Sequence, residues 1–173
     1  KGNPVIVDRG VSTYEKNQTR EAERSTASHN TVMLNNSEQS DVWGGFRVGR
    51  RASCKILTDH DNTVKACHTG YSHLGVTHTR TWNVASEEIQ IADDLTRGKN
   101  KAVASLHLYP DVSPVVEDPT TISTNDLTIT FKGHTNISIH EYDLAVGFNM
   151  TKRSKKIMID FDRELHTSVR IKK

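Results

Sequence analysis

Several things this sequence does without narrow what it can be. No apolar stretch approaches the roughly 20 residues that a membrane-spanning helix needs, and no basic segment leading into an apolar one marks a signal peptide or lipid anchor. An excess of either charge is missing too. The 23 Lys and Arg against 21 Asp and Glu leave only +2, which excludes the strongly basic surface that grips nucleic acid through counterion release. Any anion site must therefore be local. Apolar residues make up 34% of the chain and mean hydropathy is −0.61, low for a compact domain. Yet Val, Ile, Leu and Phe recur in short alternating runs throughout, which argues against disorder. The length, 173 residues, suits one domain (1–173) with a hydrophobic core of its own. No initiator methionine precedes Lys1-Gly2-Asn3-Pro4, and the chain is expected to be a piece of a longer one.

The periodicity is two almost everywhere. Val5–Val7, Thr31–Leu34, Val42–Val48, Ala52–Leu57, Val64–His68, Val76–Trp82, Ile89–Ala92, Ala102–Leu108, Leu127–Phe131, Ile137–Ile139, Leu144–Phe148, Ile157–Phe161 and Ser168–Ile171 are short, β-branched and bounded by turn residues. Strands this short and numerous predict an all-β fold, an antiparallel multi-stranded β-sandwich. Turns are expected at Asn35-Asn36, Arg97 to Asn100, Lys132-Gly133 and Thr151 to Lys155. Pro110, Pro114 and Pro119 mark a loop, and Thr19–Thr26 is helix-compatible but carries no apolar stripe. Gly44-Gly45 and Gly49 sit inside an alternating pattern and predict bulges in one bent strand. Cys54 and Cys67 are equidistant from a turn centred between His60 and Asp61. In that register they face each other, either as a disulfide or as two small buried hydrophobes.

Familiar catalytic signatures are absent: there is no Gly-x-Ser-x-Gly elbow, Walker loop, His-Glu-x-x-His or Cys-x-x-Cys. Polar chemistry gathers instead in the first half, at Arg24 to Thr31, Trp43 to Arg47, Arg50-Arg51, His68 to Tyr71 and His78 to Arg80. Imidazole, guanidinium and aromatic rings together suit an acidic sugar polymer. Rings pack on apolar sugar faces, Arg pairs with carboxylate or sulfate, and a His can move a proton near neutral pH. Blander readings stand beside this one. His29 can brace a strand, Trp43 and Trp82 can fill a core, and Arg50-Arg51 can protect a sheet edge.

The order of these blocks carries a resemblance. Ile6-Val7-Asp8-Arg9-Gly10 and Tyr14, then Arg24-Ser-Thr-Ala-Ser-His29-Asn30-Thr31-Val32, then Val42-Trp43-Gly44-Gly45-Phe46, then His68-Thr69-Gly70-Tyr71 and His78-Thr79-Arg80 follow one another as a set. The set resembles the carboxyl-terminal part of heparinase II/III-like polysaccharide lyases, closely over the first 98 residues or so. Beyond that the likeness is one of general β character, with Val169-Arg170-Ile171 as a closing strand.

The resemblance implies a β-sandwich that shares a cleft with an N-terminal α/α toroid of the same chain and cleaves an acidic, uronic acid-containing polysaccharide by β-elimination. On that reading His29 is the catalytic candidate, and Arg24, Asn30, Trp43, Arg47, Tyr71 and Arg80 line the substrate wall. Some members bind zinc, which makes His68 a candidate metal ligand, although the frequent His-Asp-Gly-Tyr is here His68-Thr69-Gly70-Tyr71. A bacterial, periplasmic or secreted enzyme is expected, with neither nucleic acid nor membrane as partner, and the isolated domain is expected to be inactive. Heparan sulfate, alginate and exopolysaccharide acids all remain open as substrates. The alternative is a noncatalytic carbohydrate-binding or structural β-sandwich.

Overall fold

The computed structural model describes residues 2–98 and 100–172; Lys99, in the expected turn at 97–100, lies outside the described residues. A short helix, α1 (Gln18–Arg24), and a 3₁₀ turn (Thr26–Ser28) come first. Twelve strands follow among the described residues: β1 (Val32–Leu34), β2 (Asp41–Trp43), β3 (Arg47–Gly49), β4 (Cys54–His60), β5 (Thr63–His68), β6 (His78–Val84), β7 (Glu88–Leu95), β8 (Ala102–His107), β9 (Val115–Asp118), β10 (Thr121–Ser123), β11 (Leu127–Gly147) and β12 (Met150–Ile171). All but β2 and β3 join one antiparallel sheet.

The long β11–β12 hairpin makes a sandwich out of that sheet. The second half of β12, Glu164–Arg170, pairs with β7 and so with the row β4-β5-β6-β7. Its first half, Lys156–Phe161, pairs with β8, which pairs with β1. The two halves face each other across one core. Val32 and Leu34 of β1, Leu106 of β8, Ile157 and Ile159 of β12, and Leu127, Ile129 and Phe131 of β11 lie in a single buried cluster with Leu95 and Leu165. Alternate inward positions on each strand supply it, as the period-two pattern requires.

Bending a hairpin from one layer into the other needs a break in the ladder, and the pairing slips between Lys132 and His134 and again before Asn136. Gly133 sits at this corner with φ +89°, and a Cβ there would lie 2.4 Å from the Glu164 carbonyl oxygen. A β-bulge with glycine in a left-handed conformation is the standard way to turn such a corner.

Several local expectations are corrected. Thr151–Lys155 is strand, because the hairpin turns at Gly147–Met150 instead. Gly44 and Gly45, both at positive φ, form the tip between β2 and β3 in place of bulges in one strand. The helix-compatible segment does fold as α1, with Asn17 Oδ1 capping the Arg20 amide. The β4–β5 turn has Asp61-Asn62 at its tip, and a bulge at Leu57 shifts the register, so Cys54 pairs with His68 and Lys55 with Cys67. Neighbouring positions on a strand point to opposite faces, so the two free thiols do not face each other.

Residues 5–12 run beside β8 and the second half of β11. The Val7 amide donates to the His107 carbonyl, the Tyr109 amide to Val5, and the Ala145 amide to Arg9. This segment carries Asp8 to the end of the sandwich where His29 stands. At the same end, Tyr14, Phe46, Phe148 and Met150 are exposed.

Replacing Gly133 by alanine should destabilise the fold by at least about 2 kcal/mol. Thermal unfolding should then occur roughly 4–8 °C lower. Gly98→Ala, where the nearest atom to the added Cβ is Arg163 Cδ at 3.9 Å, should leave the midpoint unchanged.

Candidate functional site

His29 follows the 3₁₀ turn on backbone that Thr26 and Ser25 hold in place. The Ser28 amide donates to Ser25, the His29 amide to Thr26, and the Thr26 amide to the Glu38 carboxylate. The His29 ring is exposed, with Nδ1 2.7 Å from Asp8 Oδ2. Burial pushes the Asp8 carboxyl up, but hydrogen bonds from His29 and the Gly10 amide outweigh it and hold the group below its ordinary range. An ionised carboxylate only accepts, so Nδ1 carries the proton and the lone pair of neutral His29 lies on Nε2, the nitrogen away from Asp8.

Asn30 stands behind this pair. Its Oδ1 accepts from the His107 amide at 2.8 Å and from His107 Nδ1 at 2.9 Å, and its Nδ2 donates to the Val7 carbonyl. Its own carbonyl accepts from Arg80 Nη1 at 2.6 Å. The carboxamide thus ties the segment bearing Asp8 to β8, and the Asn30 main-chain carbonyl ties the backbone beside His29 to β6. His107 is fully buried; burial, then the charge of Lys156, pushes it down to about 4 and keeps it neutral.

Arg80 is held in turn by Asp93, which is only 2% exposed. Arg80 Nε and Nη2 reach its two oxygens at 2.6 and 3.0 Å, and His78 Nε2 lies 2.7 Å from Oδ1. Burial raises the Asp93 carboxyl, but the Arg80 charge and these hydrogen bonds prevail and keep it ionised. The tautomers then follow along the chain. The Gly70 amide donates to His68 Nδ1, so His68 donates from Nε2 to His78 Nδ1 at 2.9 Å, and His78 donates from Nε2 to Asp93. Burial, then His78 and Arg80, push His68 down to about 4.

This arrangement does not fit zinc at His68, because both ring nitrogens are engaged. Asp41, a conceivable companion ligand, is paired with Arg50. Among the described residues, no three His, Cys, Asp or Glu side chains gather as a metal would require.

The remaining wall candidates divide. Tyr71 is fully buried and its hydroxyl donates to the Val32 carbonyl, so it packs the core and is corrected from its place on the wall. Arg80 and Asn30 are near the surface, but their polar atoms hold the site together. Arg24 donates to the Arg47 carbonyl, joining α1 to the β2–β3 hairpin, where Trp43 is 45% exposed and Arg47 is exposed. A pocket of about 210 Å³ lined by Asn30, Thr31, Ala66, His68, Arg80 and Trp82 opens beside His29's neighbour. Sequence reasoning missed Asp8 as His29's partner, together with His107 and Asp93. Asp8 lay within a quoted block, whereas His107 is 77 residues from its contact and nothing local marks it.

Stability should depend on pH through the two depressed histidines. The unfolded chain binds their protons near 6.5 while the folded chain refuses them until about 4. Stability should therefore fall as pH drops through that window. The double variant His68→Gln, His107→Asn, whose amides keep the donors to His78 and Asn30, should flatten that slope in pH-dependent chemical denaturation. An unchanged slope would refute the assignment.

The sequence matches the family described as "Heparinase II/III-like, C-terminal" over residues 1–172, extending the likeness well past residue 98. No curated protein matches it. Among solved structures, a heparinase III superposes with TM-score 0.76 at 16% identity, covering 98% of this chain and 28% of its own. A mutant heparan sulfate lyase HepC from Pedobacter heparinus gives 0.75 at 17%, covering 99% and 29%. A heparinase III with methylated lysines gives 0.73 at 15%, covering 99% and 28%. The chain thus spans less than a third of these structures and shares their fold. It belongs to the heparinase II/III-like C-terminal domain family.

Proposed function

We propose that this chain is the sandwich part of a polysaccharide lyase that cleaves an acidic, uronic acid-containing polymer by β-elimination. The observation that carries the reading is the exposed His29 ring held by Asp8 at 2.7 Å, with its basic nitrogen turned away from the protein partner. In the reaction a base removes the proton from C5 of the uronate, the C–H electron pair becomes the new C4=C5 bond, and the C4–O bond breaks. The leaving oxygen takes up a proton and no water is added. The C5 proton is weakly acidic, so the substrate carboxylate must be neutralised for the step to proceed. His29 Nε2 takes part in this proton transfer, and Asp8 fixes the ring's tautomer and orientation.

The carboxylate clamp and the remaining proton-transfer groups come, on this reading, from an α/α toroid elsewhere in a longer polypeptide. Exposed Tyr14, Phe46, Phe148 and Met150 at the same end are apolar surface of the kind a packed neighbour covers. A periplasmic or secreted bacterial setting, where such polymers are met, accords with it.

A noncatalytic binding wall is the second reading, favoured by Trp43 and Arg47 standing exposed on the β2–β3 hairpin. The assay is the ultraviolet absorbance of the unsaturated product, measured on the full-length enzyme. His29→Ala should lower kcat by about 100-fold or more, and Asp8→Asn by roughly 10- to 100-fold. Full activity in His29→Ala would overturn the catalytic role. Loss of polymer binding in Arg47→Ala, with turnover of His29→Ala intact, would favour the binding wall.

A further inference from the structure

The strands that present Arg80 and Trp82 to the candidate site present other residues to their opposite face. On that back face two rows of side chains run across four strands. Asn83 of β6 pairs with Gln90 of β7, Gln90 with Ser168 of β12, and Ser168 with Thr130 of β11; Thr81, Ala92, His166 and Lys132 form the parallel row. Ala92 and Ser168 are small and make a floor, while the longer Gln90, Asn83, His166 and Lys132 stand around it. The result is a groove of about 340 Å³, within the usual range of ligand sites.

We infer that this groove is a second, noncatalytic binding site for a short acidic saccharide segment. Its lining carries amides, hydroxyls, one Lys and one His, and no carboxylate. The Thr81 and Thr130 hydroxyls and the His166 ring offer donors and acceptors to sugar hydroxyls, and Lys132 offers positive charge to a uronate or sulfate. The polar atoms of Asn30 and Arg80 are taken up internally. By contrast, Thr81, Thr130, Lys132 and His166 make no side-chain hydrogen bond to the protein among the described residues, and all four open on the groove. Glu88, at one end, is engaged by Ser168 and Arg170. Asp94 and Glu164 pair in the next row beyond Ala92 and His166, and direct an anion toward Lys132 and away from themselves. No exposed aromatic ring lines the groove, so binding rests on hydrogen bonds and charge and is weakened by salt.

The saccharide class rests on the lyase reading; the location does not. The experiment is nuclear magnetic resonance titration of this chain with a heparan sulfate hexasaccharide, with a neutral glucan hexasaccharide as control. The acidic probe should shift the amides of Gln90, Ala92, Lys132 and Ser168. The exposed double substitution Lys132→Ala, His166→Ala should weaken that binding about tenfold or more at low salt, and His29→Ala should leave it unchanged. Gln90→Ala, which removes no charge, should weaken it less and still fold. Shifts confined to His29, Asn30 and Arg80 would overturn the groove while leaving the lyase reading intact. Equal binding of the neutral probe would overturn the acidic ligand, and no shift in either region would overturn the groove together with the substrate class.

Discussion

A carboxylate shut inside a β-sandwich has to be matched by cations and donors, or the fold does not tolerate it. Asp93 is such a group. Arg80 meets it with two hydrogen bonds and His78 with a third, and that requirement fixes where the guanidinium lies. Once Arg80 is fixed, its third contact fixes the Asn30 carbonyl. Asn30 then fixes the segment that brings Asp8 against His29. An exposed pair on a loop is ordinarily worth little and wanders. Here it inherits its position from a charge buried several strands away.

The same requirement bears on His68. With Asp93 and Arg80 already paired, a protonated His68 would add an unmatched charge to a half-buried row of rings. The row passes hydrogen-bond direction from the Gly70 amide to Asp93. That makes it a scaffold of defined polarity, and it explains why a candidate ligand for zinc in the sequence is a strut in the structure.

Much of this was legible in the sequence, for identifiable reasons. Alternation marked the strands of the core, β1, β8, β11 and β12, because each buries one face. The block around His29 announced itself because its residue types sit close together along the chain. Partners brought in from afar did not. Asp93 reads as an ordinary strand residue, His107 as the end of an apolar run, and Gly133 as a turn, because their roles exist only once the sheet folds over. Register was the other blind spot: one bulged residue at Leu57 turns Cys54 and Cys67 from opposed to alternating. Tyr71 illustrates the converse error, a ring credited to a surface that the core had already claimed.

The central position of β12 has a consequence for how the molecule forms. β12, the final strand of this sequence, supplies the seam between both layers, pairing with β7, β8 and β11. β8 carries His107, which orders Asn30 near the other end of the sequence. During synthesis the segment bearing His29 emerges before the strand that seals its surroundings. A fold dominated by such distant pairings closes slowly, and its early segments wait with unpaired edges. The His29–Asp8 pair is thus made well before β12 and ordered only once β12 has closed over its surroundings.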